Sequence, residues 1–180
     1  MESLNYDIVK YLIDNGVDIN VALENFDSTT GETALHLAAA TGTKEIIKLL
    51  LDNNANINAK NIKGITPIIK AVKANNHDAM DALMEYRPDL FCTYDKYRYR
   101  ATIFHAAISS YNWKFLFDWL FILADTRDDN NNSFFSFFES QLLLHYALSI
   151  IRDEDKIIMF LLEVGLDVNA LDSNGKLAIE

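Results

Sequence analysis

Between residues 33 and 58 the chain reads TALHLAAATGTKEIIKLLLDNNANIN: two short segments with apolar positions at helical spacing, a glycine between them, and a polar run after them. Apolar residues at i, i+3 and i+4 lay one stripe along a helix, and that stripe must be covered by another element. The same shape returns along the chain. Thr33-Ala34-Leu35-His36 is answered by Thr66-Pro67-Ile68-Ile69, by Thr102-Ile103-Phe104-His105 and by Leu142-Leu143-Leu144-His145, and a further copy begins at Leu177-Ala178-Ile179. Successive starts lie 33, 36, 40 and 35 residues apart. The second halves recur as well, at Ile8-Val9-Lys10-Tyr11-Leu12-Ile13, Ile46-Ile47-Lys48-Leu49-Leu50-Leu51 and Ile157-Ile158-Met159-Phe160-Leu161-Leu162. Seven residues after the last apolar residue of each stands an asparagine: Asn20, Asn58 and Asn169. A period in this range predicts a repeat array rather than a single wound core.

Elementary physics accounts for the pattern. Thr33 reads as an N-cap, its hydroxyl placed to accept from free amides of the first helical turn. Gly42 suits a tight turn between paired helices. Ala38 and Ala39 are small enough to let neighbouring helices approach. The Asn/Asp/Gly runs between repeats read as hairpin-like turns. No single repeat buries enough surface alone, so stacked neighbours must share one long core.

The residues Gly31-x-Thr33-Ala34-Leu35-His36-x-Ala38-Ala39-x-x-Gly42, then Ile46-Ile47-x-Leu49-Leu50, then Ala55-Asn56-Ile57-Asn58-Ala59 resemble the ankyrin repeat. The resemblance covers nearly the whole chain. It departs from the family pattern at Ile69, where histidine is expected, at Arg100 and Ser140, where the loop glycine is expected, and in keeping proline only at Pro67. It implies an all-α solenoid of antiparallel helix pairs with short hairpin-like loops. Residues 1–180 then form one domain: a partial repeat over 1–22, repeats over about 28–60, 61–92, 97–136 and 137–171, and the start of another over 172–180. It also implies a structural role for the repeated histidine and a bracing role for Asn20, Asn58 and Asn169, the asparagine that animal cells can hydroxylate.

In order along the chain, residues 4–14 read as the second helix of a repeat whose first helix is missing. Both ends are therefore expected to be cut from a longer array. Helices are expected near 66–73 and 77–85, with Pro88 ending the second. Residues 94–100, Tyr-Asp-Lys-Tyr-Arg-Tyr-Arg, read as an extended finger with one face packed and one solvated. Repeat four is aromatic (Phe104, Tyr111, Trp113, Phe115, Phe117, Trp119, Phe121), most of it expected in the core with a few rings outward. An Asp/Asn run at 125–132 then leads into Phe134, Phe135, Phe137 and Phe138. These rings either cap repeat four or leave at least two exposed as an anchor.

Composition narrows the classes of function. One cysteine, Cys92, forbids an internal disulfide and fits an intracellular setting, cytoplasmic or nuclear. The acidic start MESLNYDIVK is no signal peptide, and the most apolar window, residues 115–124, is too short to span a bilayer. The net charge of −10 argues against nucleic-acid binding. It is uneven: residues 1–60 carry nine acids and four bases, 61–120 six and eight, 121–180 eleven and four.

Candidate chemistry is sparse. His36, His105 and His145 share one repeat position and read as hydrogen-bonding structure rather than metal ligands or bases. Cys92 with His105 lacks an orienting partner. The acids at 125–129 lack the alternating spacing of a calcium loop, and six glycines supply no phosphate loop. No catalytic, cofactor-binding or metal-binding residue is assigned.

The expected function is recognition of a protein partner, without catalysis, by a chain that is itself monomeric. The alternative is a targeting module of a larger enzyme or effector. Binding is assigned to the concave face and loops. The candidate contacts are Thr30, Glu32, Thr41, Ile62, Lys63, Ile65, Lys73, Arg98, Tyr99, Ser110, Phe138, Glu139 and Gln141. Ala40, Ala74, Ala101 and Ser109 are placed outward beside them.

Overall fold

The structure is a computed structural model that describes residues 2–23, 31–96, 99–119, 143–150, 155–163, 166–169, 171 and 175–177. Its elements run α1 (Glu2–Asp14), α2 (Ala34–Thr41), α3 (Lys44–Asp52), α4 (Pro67–Lys73), α5 (His77–Glu85), β1 (Tyr94–Lys96), β2 (Tyr99–Ala101), α6 (Ile103–Ser109), α7 (Trp113–Trp119), α8 (Leu143–Ile150) and α9 (Asp155–Glu163). The expected helices near 4–14, 66–73 and 77–85 are present. Helices pair within a repeat, α2 with α3, α4 with α5, α6 with α7 and α8 with α9. Between repeats, the first helices stack as an inner row, α2 on α4 on α6 on α8, while α1, α3 and α5 form an outer row. Helix α1 thus takes the place of a second helix.

The first three inner helices start at a threonine in extended backbone: Thr33 (φ −89°, ψ 169°), Thr66 (φ −95°, ψ 165°) and Thr102 (φ −100°, ψ 173°). At Thr33 and Thr102 the cap is reciprocal. The threonine hydroxyl accepts from the third helical amide, and the histidine there, His36 or His105, accepts from the threonine's own N–H. This is the logic of a capping box with imidazole in place of the usual carboxylate. Pro67 sits at the first turn of α4, where its missing N–H costs nothing.

The core lies between the rows. Ala38, Ala71, Ala107 and Ala147 occupy one repeat position and are all buried. A methyl at each crossing lets the inner helices approach, and Leu35, Ile68, Ile103 and Leu144 fill the space around them. In repeat four Phe104 and Phe115 are buried with ring centroids 5.7 Å apart, while Tyr111 and Phe117 are exposed. Trp113 is half-buried, so of the five described rings only two lie fully in the core, fewer than the majority expected. Trp119, Phe121, the acidic run and Phe134 to Phe138 lie outside the residues, or side chains, described.

Side chains tie each repeat to the next. The Asn20 amide donates to Asn54 O at 3.1 Å and accepts from Asn56 N at 2.8 Å. Asn58 accepts from Asp89 N at 2.9 Å. Phe91 holds the corresponding position one repeat on, where no amide is available for such a bridge. In the turns between paired helices, Asn76 donates to Gly42 O at 3.0 Å and Asn112 to Val72 O at 3.2 Å. Gly42 itself has φ −83°. Its glycine is required by space: an added Cβ would lie 2.6 Å from Ala38 O.

The finger after repeat three is a two-stranded antiparallel ribbon with Tyr94 opposite Ala101 and Lys96 opposite Tyr99. It is docked on the preceding turn by Asp95 N, which donates to Lys63 O at 2.8 Å. Tyr94 is buried and Asp95 exposed, the alternation a one-sided strand requires. Burial pushes the Tyr94 phenol well above its ordinary range.

Candidate partner-binding surface

The inner helices and the turns that precede them present one continuous face. On it Ile62 is 59% exposed, and Lys63, Lys73 and Thr41 are exposed too. Ser110 is half-buried, and its carbonyl accepts from Asn75 Nδ2 at 3.1 Å. Lys73 Nζ stands 5.3 Å from the Tyr94 ring centroid, so its charge is held against the root of the ribbon. Thr30, Arg98, Phe138, Glu139 and Gln141 lie outside the described residues, and Tyr99 is placed only as a member of β2.

Three outward assignments are corrected. Glu32, Ile65 and Ala101 share the position before the capping threonine, and they are 8%, 7% and 0% exposed. The backbone turns this position inward. Ile65 O accepts from Asn61 N at 3.0 Å, Ile65 N donates to Asn61 Oδ1 at 3.0 Å, and His36 Nε2 lies 2.9 Å from Ile65 O. Glu32 O accepts from Leu23 N at 2.7 Å, and the Glu32 carboxylate meets Lys70 Nζ at 2.5 Å. Ala101 is held in β2 opposite Tyr94. Ala74 is exposed as expected, and Ala40 and Ser109 are half-buried.

Charge is segregated between the rows in the middle of the array. Helix α4 carries Lys70 and Lys73 without an acid, whereas α5 behind it carries Asp78, Asp81 and Glu85. Glu85 is clamped by Lys44 at 2.7 Å and Lys48 at 2.6 Å, which hold its carboxyl down at about 2. The inner face of repeat three is therefore the basic one.

The histidines are committed to structure. His36 Nδ1 lies 3.1 Å from Thr33 N and 2.9 Å from Thr33 Oγ1. Because Nδ1 accepts from an N–H, the proton of the neutral ring sits on Nε2, which donates to Ile65 O. Burial lowers its pKa from the ordinary value and keeps it neutral. His105 repeats the cap, with Nδ1 2.8 Å from Thr102 Oγ1, and His145 Nε2 lies 3.1 Å from Lys176 O. The Cys92 thiol is pushed up by burial, the reverse of what a nucleophile needs. Among the described residues no group of three His, Cys, Asp or Glu could hold a metal ion, and no helix is long and apolar enough to cross a membrane.

One surface feature was not singled out from the sequence. Tyr111, in the turn between α6 and α7, has φ 53° and is 59% exposed, edge-on to Trp113 at 5.5 Å. Asn75 occupies the same position one repeat earlier with φ 54°. Asparagine adopts that backbone readily and tyrosine does not. The available signal was this register, with an aromatic standing where an asparagine does the same job.

Stacked antiparallel helix pairs, capped by threonine and histidine and bridged by asparagine, define an α-helical repeat solenoid. A family model described as "Ankyrin repeats (3 copies)" matches residues 1–94, and the chain belongs to the ankyrin repeat family, whose repeats are protein-interaction modules. Diacylglycerol kinase iota of Mus musculus is 41% identical over 83 residues, 46% of this chain and 8% of that protein. Serine/threonine-protein kinase 12 of Arabidopsis thaliana is 37% identical over 75 residues, 42% of this chain and 15% of that protein. An ankyrin repeat protein of fowlpox virus, FPV031, is 36% identical over 87 residues, 48% of this chain and 24% of that protein. The matched segment is thus a small part of each of these relatives.

Proposed function

We propose that the chain is a non-catalytic module, monomeric and intracellular, that recognises a protein partner on the face built by the inner helices and their preceding turns. The observation that carries this reading is the exposed strip of Ile62, Lys63 and Lys73 mounted on a fully buried stack. Ile62 offers apolar area, and the two lysines offer charge at fixed positions around it, the arrangement of an anchor with a polar rim. The rigid packing of α4 between α2 and α6 means that little order has to be created on binding.

A photo-crosslinking residue placed at Lys63 or Lys73 tests it, with the same residue at Glu45 or Asp52 on the outer row as control. The reading requires one dominant adduct from the inner positions and none from the outer ones. Equal labelling from both rows overturns it.

A second reading is supported by the small share of the two kinases that the chain matches, 8% and 15%. In it the same face targets a catalytic domain carried elsewhere in a longer protein. The surface and the experiment are the same. The distinguishing result is whether the cross-linked partner becomes a substrate of the full-length product.

A further inference from the structure

Helix α2 is the first of the inner row among the described residues, and its free edge is not closed. Ile8 and Val9 of α1, Leu37 and Ala38 of α2, and Ile46 and Leu50 of α3 enclose an open, mostly apolar groove of about 390 Å³. The later repeats display what such an edge is made to receive. Ala34, Pro67, Ile103 and Leu143 are one repeat position; the last three are buried where α4, α6 and α8 pack on the inner helix before them, and Ala34 is exposed. Leu37 is 43% exposed, while Ala106 at the same position of α6 is fully buried. Ile8 on the opposite wall is 50% exposed. The groove therefore continues, along the edge of α2, an interface that the molecule makes three times over among the described residues.

We propose that this groove docks an amphipathic α-helix of a partner protein, apolar on its inward face and basic on its flanks, laid one step before α2 in the inner row. Helix α2 has eight residues, so the wall is about 12 Å long and accepts two turns of a partner helix. Anchors at i, i+3, i+4 and i+7 fill it, the pattern of helix-in-groove recognition. The basic flank follows from the local charge. Asp7 is exposed beside Ile8 on the rim, no base among the described residues lines the groove, and on the helices that wall it Lys10 is engaged by Asp14 while Lys44 and Lys48 are engaged by Glu85. This site adjoins the Lys63 and Lys73 face at Thr41 but contains neither lysine and does not depend on them.

The test uses a fluorescein-labelled synthetic helix of about 16 residues, long enough to overhang the groove at both ends. It carries alanine and leucine at the anchor positions and lysine elsewhere, and is compared with its scrambled sequence and with a glutamate-for-lysine version. Anisotropy should give saturable one-to-one binding, with chemical-shift changes at Leu37, Thr41 and Ile46. Leu37→Asp and Ile8→Asp, both at exposed positions, should each weaken binding about tenfold or more with unchanged thermal melting. The glutamate version should bind more weakly than the lysine version. Lys63→Glu together with Lys73→Glu should leave the affinity as it was. Absence of saturation up to about 1 mM overturns the proposal. So does equal binding of the scrambled helix, or loss of binding in the double lysine variant. A wild-type dimer that Leu37→Asp dissociates also overturns it, by assigning the groove to a second copy of this chain.

Discussion

The Nε2 of His36 lies 2.9 Å from the carbonyl oxygen of Ile65, one repeat further along the chain. The other nitrogen of the same ring closes the cap at Thr33. One side chain thus caps the start of a helix in its own repeat and bonds to the main chain of the next.

His36→Ala should therefore be costly. It leaves the Thr33 amide and the Ile65 carbonyl without the imidazole and opens a void in a site that is fully buried. The combined loss is about 2–4 kcal/mol, well above the roughly 0.5 kcal/mol expected of an exposed change such as Thr41→Ala. Urea melts of the two variants check the order.

The same residue sets a pH dependence. Burial holds the His36 pKa below the ordinary 6.5 in the folded state. The unfolded chain therefore binds the proton more readily than the folded one, and stability rises with pH across that window. As pH falls through 6.5 toward the folded value the His36 contribution is progressively lost. In His36→Gln the slope of stability against pH between about 5 and 7 should be shallower than in the wild type. Equal slopes would place the titration elsewhere.

Two neighbouring turns should fail differently. Gly42→Ala drives a Cβ to 2.6 Å from Ala38 O, and the last turn of α2 must shift by some tenths of an ångström at a cost of about 1–3 kcal/mol. Asn75→Ala meets no such wall; it strains a backbone at φ 54° and loses the bond to Ser110 O, about 1–2 kcal/mol together. Asn75→Gly should recover the backbone part. Because the atoms met are main chain, truncating Ala38 to glycine should not rescue Gly42→Ala in calorimetric melts.

Tyr111→Asn should stabilise the protein by about 0.5–1 kcal/mol, because it places at φ 53° the residue that the preceding repeat uses there. The T-shaped contact with Trp113 is lost in exchange, at an exposed site where it is worth little. A fall in melting temperature would mean that the ring packs more usefully than its exposure indicates.

The fold was legible where a side chain announces its own local task. Thr33, His36 and the alanines at 38 and 39 are readable because capping and close crossing each demand a residue type. Asn20 and Asn58 were legible as braces, though which backbone atoms they reach was not. Surface assignment went less well. Ile65, Glu32 and Ala101 were placed outward from repeat phase alone, yet their backbone groups are engaged from both sides. Nothing in a polar glutamate reveals that its carboxylate will lie against Lys70, 38 residues away. Gly42 was correctly read as a turn residue, but the need is one of distance to Ala38, which appears only when both turns are in place. The apolar groove at α1 and α2 lies where α1, placed as a second helix, leaves the edge of α2 exposed. Its depth required the structure.

Three of the ties between repeats share one chemical asymmetry. His36 meets the carbonyl of Ile65, Asn20 meets the carbonyl of Asn54 and the amide of Asn56, and Asn58 meets the amide of Asp89. In each case the giving repeat supplies a specific side chain and the receiving repeat supplies only main chain. Any residue can stand at 65 and still accept, and any but proline can stand at 56 or 89 and still donate, whereas position 54, at φ 65°, suits asparagine or glycine. The receiving surface is thus free to change its vocabulary without losing its grammar. Lysine, isoleucine or an aromatic can be written into one turn while the turn before it continues to grip the same main-chain atoms, so these three grips survive a change of side chain in the repeat that receives them.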